Sequence, residues 1–142
     1  MREEYRQRLA KEYRYAVTKM QEVTPPARKL FYFSVIFGDA QRILNWEWSR
    51  NLALIHSVTQ HVHTQINSSM QAAALNQATP MDWAAIFDAL TVGYSNLAAY
   101  FEKKETENSG EELCQILGYL AEIGFTVTGN GSYLYEKGII KF

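Results

Sequence analysis

From Pro25 to about Gln77 the chain carries one helical pattern, longer than a compact fold of this size can hold straight. Apolar residues recur three or four apart: Leu30, Phe33, Phe37, Ala40, Leu44, Trp48, Leu52, Ile55, Val58, Val62, Ile66, Met70 and Ala73. That period is helical, not strand-like. At about 1.5 Å per residue an unbroken helix of this span would reach roughly 75–80 Å. A compact chain of this length has a radius of gyration of only about 14–15 Å. The helix therefore breaks or extends into an oligomer. Two places offer a break. Gly38-Asp39 combines a glycine stop with a capping aspartate, and Asn67-Ser68-Ser69 is a run of weak helix formers.

The flanking segments predict further helices. In residues 2–22, Tyr5, Leu9, Tyr13 (or Glu12), Ala16 and Met20 form one stripe. Thr24-Pro25-Pro26 reads as a stop and restart, with Thr24 as cap and Pro25 at the first helical position. Thr79-Pro80-Met81-Asp82 opens a helix over 80–107 with an apolar face of Trp83, Ile86, Phe87, Leu90, Tyr94, Leu97 and Phe101. Ser109-Gly-Glu-Glu112 is a capping box opening a helix over 110–123, stopped by Gly124. The period then changes. Residues 125–136, centred on Gly129-Asn130-Gly131, read as a β-hairpin, which is marginal alone and must pack on helices or a partner strand. The expected fold is mainly all-α: a single domain over 1–142, a bundle of four or more helices with a short C-terminal hairpin.

Composition removes several function classes. Of the 142 residues, 47% are apolar and 20% charged, which argues against disorder. A formal net charge of -1 gives no global attraction to nucleic acid or anionic membrane. The N-terminal residues lack the apolar core of a signal peptide, and no apolar run is long enough to cross a bilayer. The single cysteine, Cys114, excludes an intramolecular disulfide framework and fits a reducing compartment. Its apolar neighbours predict a buried thiol. These features point to a soluble cytoplasmic protein. The helix-then-hairpin order at the C-terminus resembles the end of a winged helix. It has no Lys or Arg between Ser109 and Tyr135, so DNA binding is not expected.

No strong catalytic, cofactor or nucleotide motif is present, and no cofactor is expected. His56, His61 and His63 fall within eight residues. Their intervals of five, two and seven miss the i, i+3 and i, i+4 spacings that converge on a metal, so no metal site is expected. His56, Gln60 and His63 instead read as a polar flank beside Ile55, Val58 and Val62. If two copies of this helix meet, that flank becomes an interface sensitive to mild acid. In Asn45-Trp46-Glu47-Trp48 the two indoles point about 200° apart on a helix. Trp48 belongs to the core stripe, and Trp46 must lie under another helix or in an interface.

Arg50-Asn51-Leu52-Ala53-Leu54-Ile55-His56 resembles the signature of the HEPN ribonucleases. In these small helical bundles an arginine, often followed by a polar residue, precedes a histidine by five to seven positions. The resemblance implies two copies of the motif meeting across a dimer and cleaving RNA without a metal. Arg50 would clamp phosphate, Asn51 would support it, and His56 would do acid–base work on the 2′-hydroxyl. The match covers seven residues. Val58 stands where one large subgroup has tyrosine, and the motif lies mid-chain rather than near the domain's end.

The reading favoured by the residues is a non-enzymatic interaction or scaffold module. It would act as a homodimer, with an unknown protein partner, through Trp46, Trp48, His56, Gln60, His63 and the hairpin edge. The alternative is the metal-independent ribonuclease built on Arg50, Asn51 and His56, the only reading in which RNA is a partner.

Overall fold

A computed structural model describes residues 1–75, 81–106 and 109–128. The described residues are mainly helical and include no strand. In chain order they form α1 (Glu3–Glu22), α2 (Pro26–Lys29), a 3₁₀ turn (Phe31–Phe33), α3 (Ser34–Trp46), α4 (Arg50–Ala74), α5 (Trp83–Glu102) and α6 (Ser109–Val127). The longer helices neighbour one another in the order α1, α5, α6, α4, α3, and α3 closes the ring against α1. Each turns its apolar stripe to a shared centre, as amphipathic helices must. Leu9, Tyr13, Ala16 and Met20 of α1 are buried there, with Ile86, Phe87, Leu90, Tyr94, Leu97 and Phe101 of α5.

The long central pattern bends twice, and at neither weak spot. Gly38 lies inside α3, with the Arg42 guanidinium packed over it. Ser69 lies inside α4, and its hydroxyl donates to the Val127 carbonyl at 3.1 Å, joining α4 to the end of α6. The first bend follows Lys29, whose Nζ turns back to donate to the carbonyls of Met20 (2.8 Å) and Val23 (2.7 Å) at the end of α1. The second comes at Glu47, which is extended (φ −152°, ψ 115°). Ser49 then caps α4, accepting from the Leu52 N–H at 3.2 Å. That cap is easy to miss, because the third helical position holds Leu52 instead of the acid that completes a capping box. With both bends in place, the longest helix is the 25-residue α4. Helix length therefore no longer calls for a second chain.

Other boundaries also moved. Pro25 takes the N-cap position of α2, with Pro26 at the first helical residue, so Thr24 caps nothing there. Asp82 caps α5, accepting from the Ala85 N–H at 3.1 Å; Thr79 and Pro80 lie outside the described residues. Ser109 is already helical, and its hydroxyl accepts from the Thr106 N–H at 2.6 Å. Glu112 pairs with Lys103 at 3.1 Å. The Ser109–Glu112 capping box is therefore not made. Cys114 is exposed, not buried, because it falls on the outer face between Leu113 and Leu117.

The first strand of the expected hairpin is instead the end of α6, which runs through Gly124 to Val127. Four residues are too few to separate a period of two from a helical turn. Here Ile123, Thr126 and Val127 stay buried on the helical face. Gly124 does not end the helix; it packs on α4, where a Cβ would make ordinary contact 3.5 Å from the Val62 Cα. Residues 129–136 of that expected hairpin lie outside the described residues. Gly93 differs: between α5 and α6 a Cβ would sit 2.5 Å from Leu120 Cδ2, so that side chain would have to shift.

One buried charge fixes α1 to the end of α5. Arg6 is only 2% exposed. Its Nη2 donates to the carbonyls of Tyr100 and Lys103, both at 2.6 Å, and its Nη1 pairs with Glu105 at 2.9 Å. The guanidinium carbon lies 4.9 Å from the Tyr100 ring centre. The last carbonyls of a helix have no partner within it, and a cation there also meets the negative end of the dipole. Lysine cannot span these groups in one plane. Arg6→Lys is therefore expected to lower stability to urea by about 2–4 kcal/mol. Arg14→Lys, in the exposed pair with Glu102, should cost less than about 1 kcal/mol. Equal losses would show that the Arg6 contacts carry no special weight.

Candidate functional site

The residues singled out from sequence are dispersed over α4 and its approach. Arg50 is the first residue of α4 and is exposed. Asn51 Nδ2 donates to the Tyr100 hydroxyl at 3.3 Å. His56 is half-buried beside Phe37, ring centres 6.2 Å apart, and its Nδ1 is buried with no partner. Burial holds its pKa below the ordinary histidine value. Six helical positions place Arg50 and His56 roughly 9 Å apart along the axis and about 120° apart around it.

The three histidines meet different surroundings. His61 is exposed and lies near the Phe125 ring. His63 points into the core, where its Nε2 is 2.6 Å from the Tyr94 hydroxyl. Phe33, Phe37 and Tyr94 surround its ring at 4.9–5.6 Å. Burial pushes its pKa down to about 3 and raises that of Tyr94. The pair is therefore neutral, and each member satisfies the other. His63 consequently belongs to no surface, while Gln60 is exposed. Among the described residues no group of three or more His, Cys, Asp and Glu side chains is placed to hold a metal.

The two tryptophans lie at the α3–α4 corner. Trp48 is 74% exposed rather than in the core, because the chain leaves the helix at Glu47 and the stripe loses its register. Trp46 is 61% exposed, with its ring 6.2 Å from Tyr5. Glu47 between them pairs with Arg2 at 3.1 Å.

A further constellation was not legible in the sequence. Asp39 on α3 is buried and accepts from Arg8 Nε and Nη2 (3.1 and 2.8 Å) and from Arg42 Nη1 (3.0 Å). Glu12, one turn beyond Arg8, shares this cluster: its Oε1 is 3.4 Å from Arg8 Nε, and its Oε2 is buried without a donor. Burial and then Asp39 push the Glu12 carboxyl up to about 8, against the pull of Arg8. Burial also acts to raise Asp39, but the proton of Glu12 and the two guanidiniums outweigh it and hold that carboxyl low. Alongside runs a groove of about 310 Å³, lined by Lys11, Glu12, Tyr15, Phe31, Tyr32 and Val35. From sequence, Arg8 and Glu12 look like an ordinary exposed i, i+4 pair, and Asp39 like a cap. Only packing α3 on α1 brings them together.

The buried His63–Tyr94 pair makes the protein acid-sensitive. The folded His63 stays neutral down to about pH 3, whereas in the unfolded chain it takes a proton near 6.5. Stability is therefore drained as pH falls through that window, by at most about 1.4 kcal/mol per unit. Tyr94→Phe is expected to cost about 1–3 kcal/mol by leaving the imidazole unpartnered. The double change His63→Leu, Tyr94→Phe should recover part of that loss and remove its acid slope. Urea titrations from neutral to acid pH read both effects, and a double variant no more stable than Tyr94→Phe would contradict the pairing. Among known proteins, no family model, curated sequence or solved structure matches this chain, so a functional reading rests on this geometry.

Proposed function

We propose that the chain is a non-enzymatic interaction module that pairs with a second copy of itself through the α3–α4 corner. The supporting observation is the exposure of Trp46 and Trp48 at one corner, with Glu47 and Arg50 beside them in the chain and Arg2 paired to Glu47. An aromatic centre within a charged rim is the anatomy of an interface hot spot. Two further considerations that pointed to a dimer do not contribute. The central helix is bent, and the described part of the expected hairpin is helical. Exposed Gln60 and half-buried His56 on α4 extend the proposed surface; an unknown protein partner would engage the same face. No helix among the described residues is long and apolar enough to cross a membrane. The free, exposed thiol of Cys114 suits a reducing compartment such as the cytoplasm.

Light scattering at micromolar concentrations tests this directly. The expected result is a dimer that becomes a folded monomer in Trp46→Ala, Trp48→Ala. A wild-type monomer, or a dimer indifferent to both changes, would refute the proposal. The same fractions should leave labelled single-stranded RNA intact. Metal-free cleavage lost in His56→Ala would transfer the function to the Arg50–Asn51–His56 alternative.

A further inference from the structure

We propose that Glu12 and Asp39 form a proton latch across the α1–α3 seam, which holds α3 on the bundle while Glu12 is protonated and loosens it as the pH rises. The arrangement is two carboxyls on separate helices that share one guanidinium. Arg8 gives Asp39 two donors, at 3.1 and 2.8 Å, and reaches Glu12 Oε1 only at 3.4 Å. Arg42 gives Asp39 a third donor at 3.0 Å. Glu12 Oε2 is buried, and no donor reaches it. An ionised oxygen there would be desolvated and would face a second carboxylate. A proton removes both penalties. The Glu12 O–H then donates to Asp39, which as a carboxylate has acceptor positions left after its three bonds.

Helix α3 is the element that such a latch can move. It is 13 residues long and lies between the 3₁₀ turn and the break at Glu47. Besides Asp39 it buries only Ile36, Ala40 and Ile43, whereas α5 buries ten of its 20 residues. Elements with few buried apolar groups open at a lower free energy than the whole fold. In the closed seam burial, and then Asp39, let Glu12 keep its proton up to about pH 8; drawn into water it ionises near 4.5. Asp39 is held low, against its burial, by the Glu12 proton and the guanidiniums of Arg8 and Arg42. Between those two values the closed seam binds one proton more than the open one. Rising pH therefore favours opening by up to about tenfold per unit, and ceases to do so above about pH 8. The charged and titratable groups around Glu12 are Arg8 and Tyr13 on its own helix, Asp39 and Arg42 on α3, and Lys11, Tyr15 and Tyr32 along the adjoining groove. None of these side-chain types ordinarily titrates within that window.

Amide hydrogen exchange of the full chain, read by mass spectrometry as protection factors for α3 and α6, tests the latch. Between about pH 6.5 and about pH 8.5 the protection of α3 is expected to fall about tenfold and then level off, while that of α6 holds. Glu12→Gln keeps a donor for Asp39 but removes the titrating group, so its α3 protection should stay flat across the same range. Carbon NMR of the Glu12 carboxyl in the wild-type chain supplies a reading that does not depend on the variant folding, and a midpoint near 8 is expected. A midpoint in the ordinary carboxylate range would overturn the proposal. So would α3 protection indifferent to pH, an equal fall in α6, or the same fall persisting in Glu12→Gln.

Discussion

The Tyr94 ring is where the elements of this bundle meet. It lies 5.7 Å from Tyr13 of α1, 4.5 Å from Phe33 of the 3₁₀ turn and 5.6 Å from His63 of α4. Its hydroxyl and the His63 imidazole must satisfy each other, because a lone polar atom at this depth would carry an uncompensated desolvation cost. The ring order of helices leaves α4 and α5 on opposite sides of the centre. This one polar contact therefore sets their relative depth and rotation in a way that dispersion alone would not. Apolar packing tolerates sliding by a methyl group, whereas a hydrogen bond of 2.6 Å does not.

Charge is placed on the same principle at the edges. Arg6 and Lys29 each reach from one element to the open carbonyls at the end of another, joining α1 to α5 and the 3₁₀ approach to α1. Both meet acceptors that helix geometry leaves unpaired. The cluster at Glu12 and Asp39 differs. Asp39 is fully engaged, while Glu12 has a buried oxygen and no donor for it. Glu12 keeps its proton there, and that proton helps to hold the Asp39 carboxyl low.

Four of the exposed apolar groups fall at the two ends of α3, while Tyr15, Leu54, Leu75, Val92 and Phe125 are exposed elsewhere. Phe31 and Val35 lie near its start, and Trp46 and Trp48 at and beyond its end. The same helix buries Ile36, Ala40 and Ile43 toward the core between them. At the second bend the chain leaves the helical register, and Trp48, which would continue the buried stripe, swings to the surface.

Helix content was written in the sequence. The stripes of α1 and α5, apart from the half-buried Tyr5 and Trp83, and Leu113, Ile116, Leu117 and Leu120 of α6, are buried as their spacing demands, because amphipathic periodicity is a local property read directly from residue order. The positions of the bends were not. Gly38 and Asn67–Ser69 are poor helix formers that tertiary packing retained, while Trp46-Glu47-Trp48 carries no breaker and yielded to a cap at Ser49 and an ion pair with Arg2. The candidate site was the least legible part. Arg50, Asn51 and His56 share one helix yet meet different surroundings: exposed, bonded to Tyr100, and half-buried beside Phe37. Arg8, Glu12, Asp39 and Arg42 span two helices, and no local pattern announces them. The sequence by itself determined which residues are helical and which face of each helix is apolar. Tertiary structure decided where the helices bend and which charges are shared across them, because those depend on contacts such as Arg8–Asp39, Arg2–Glu47 and Arg6–Glu105 between residues far apart in the chain.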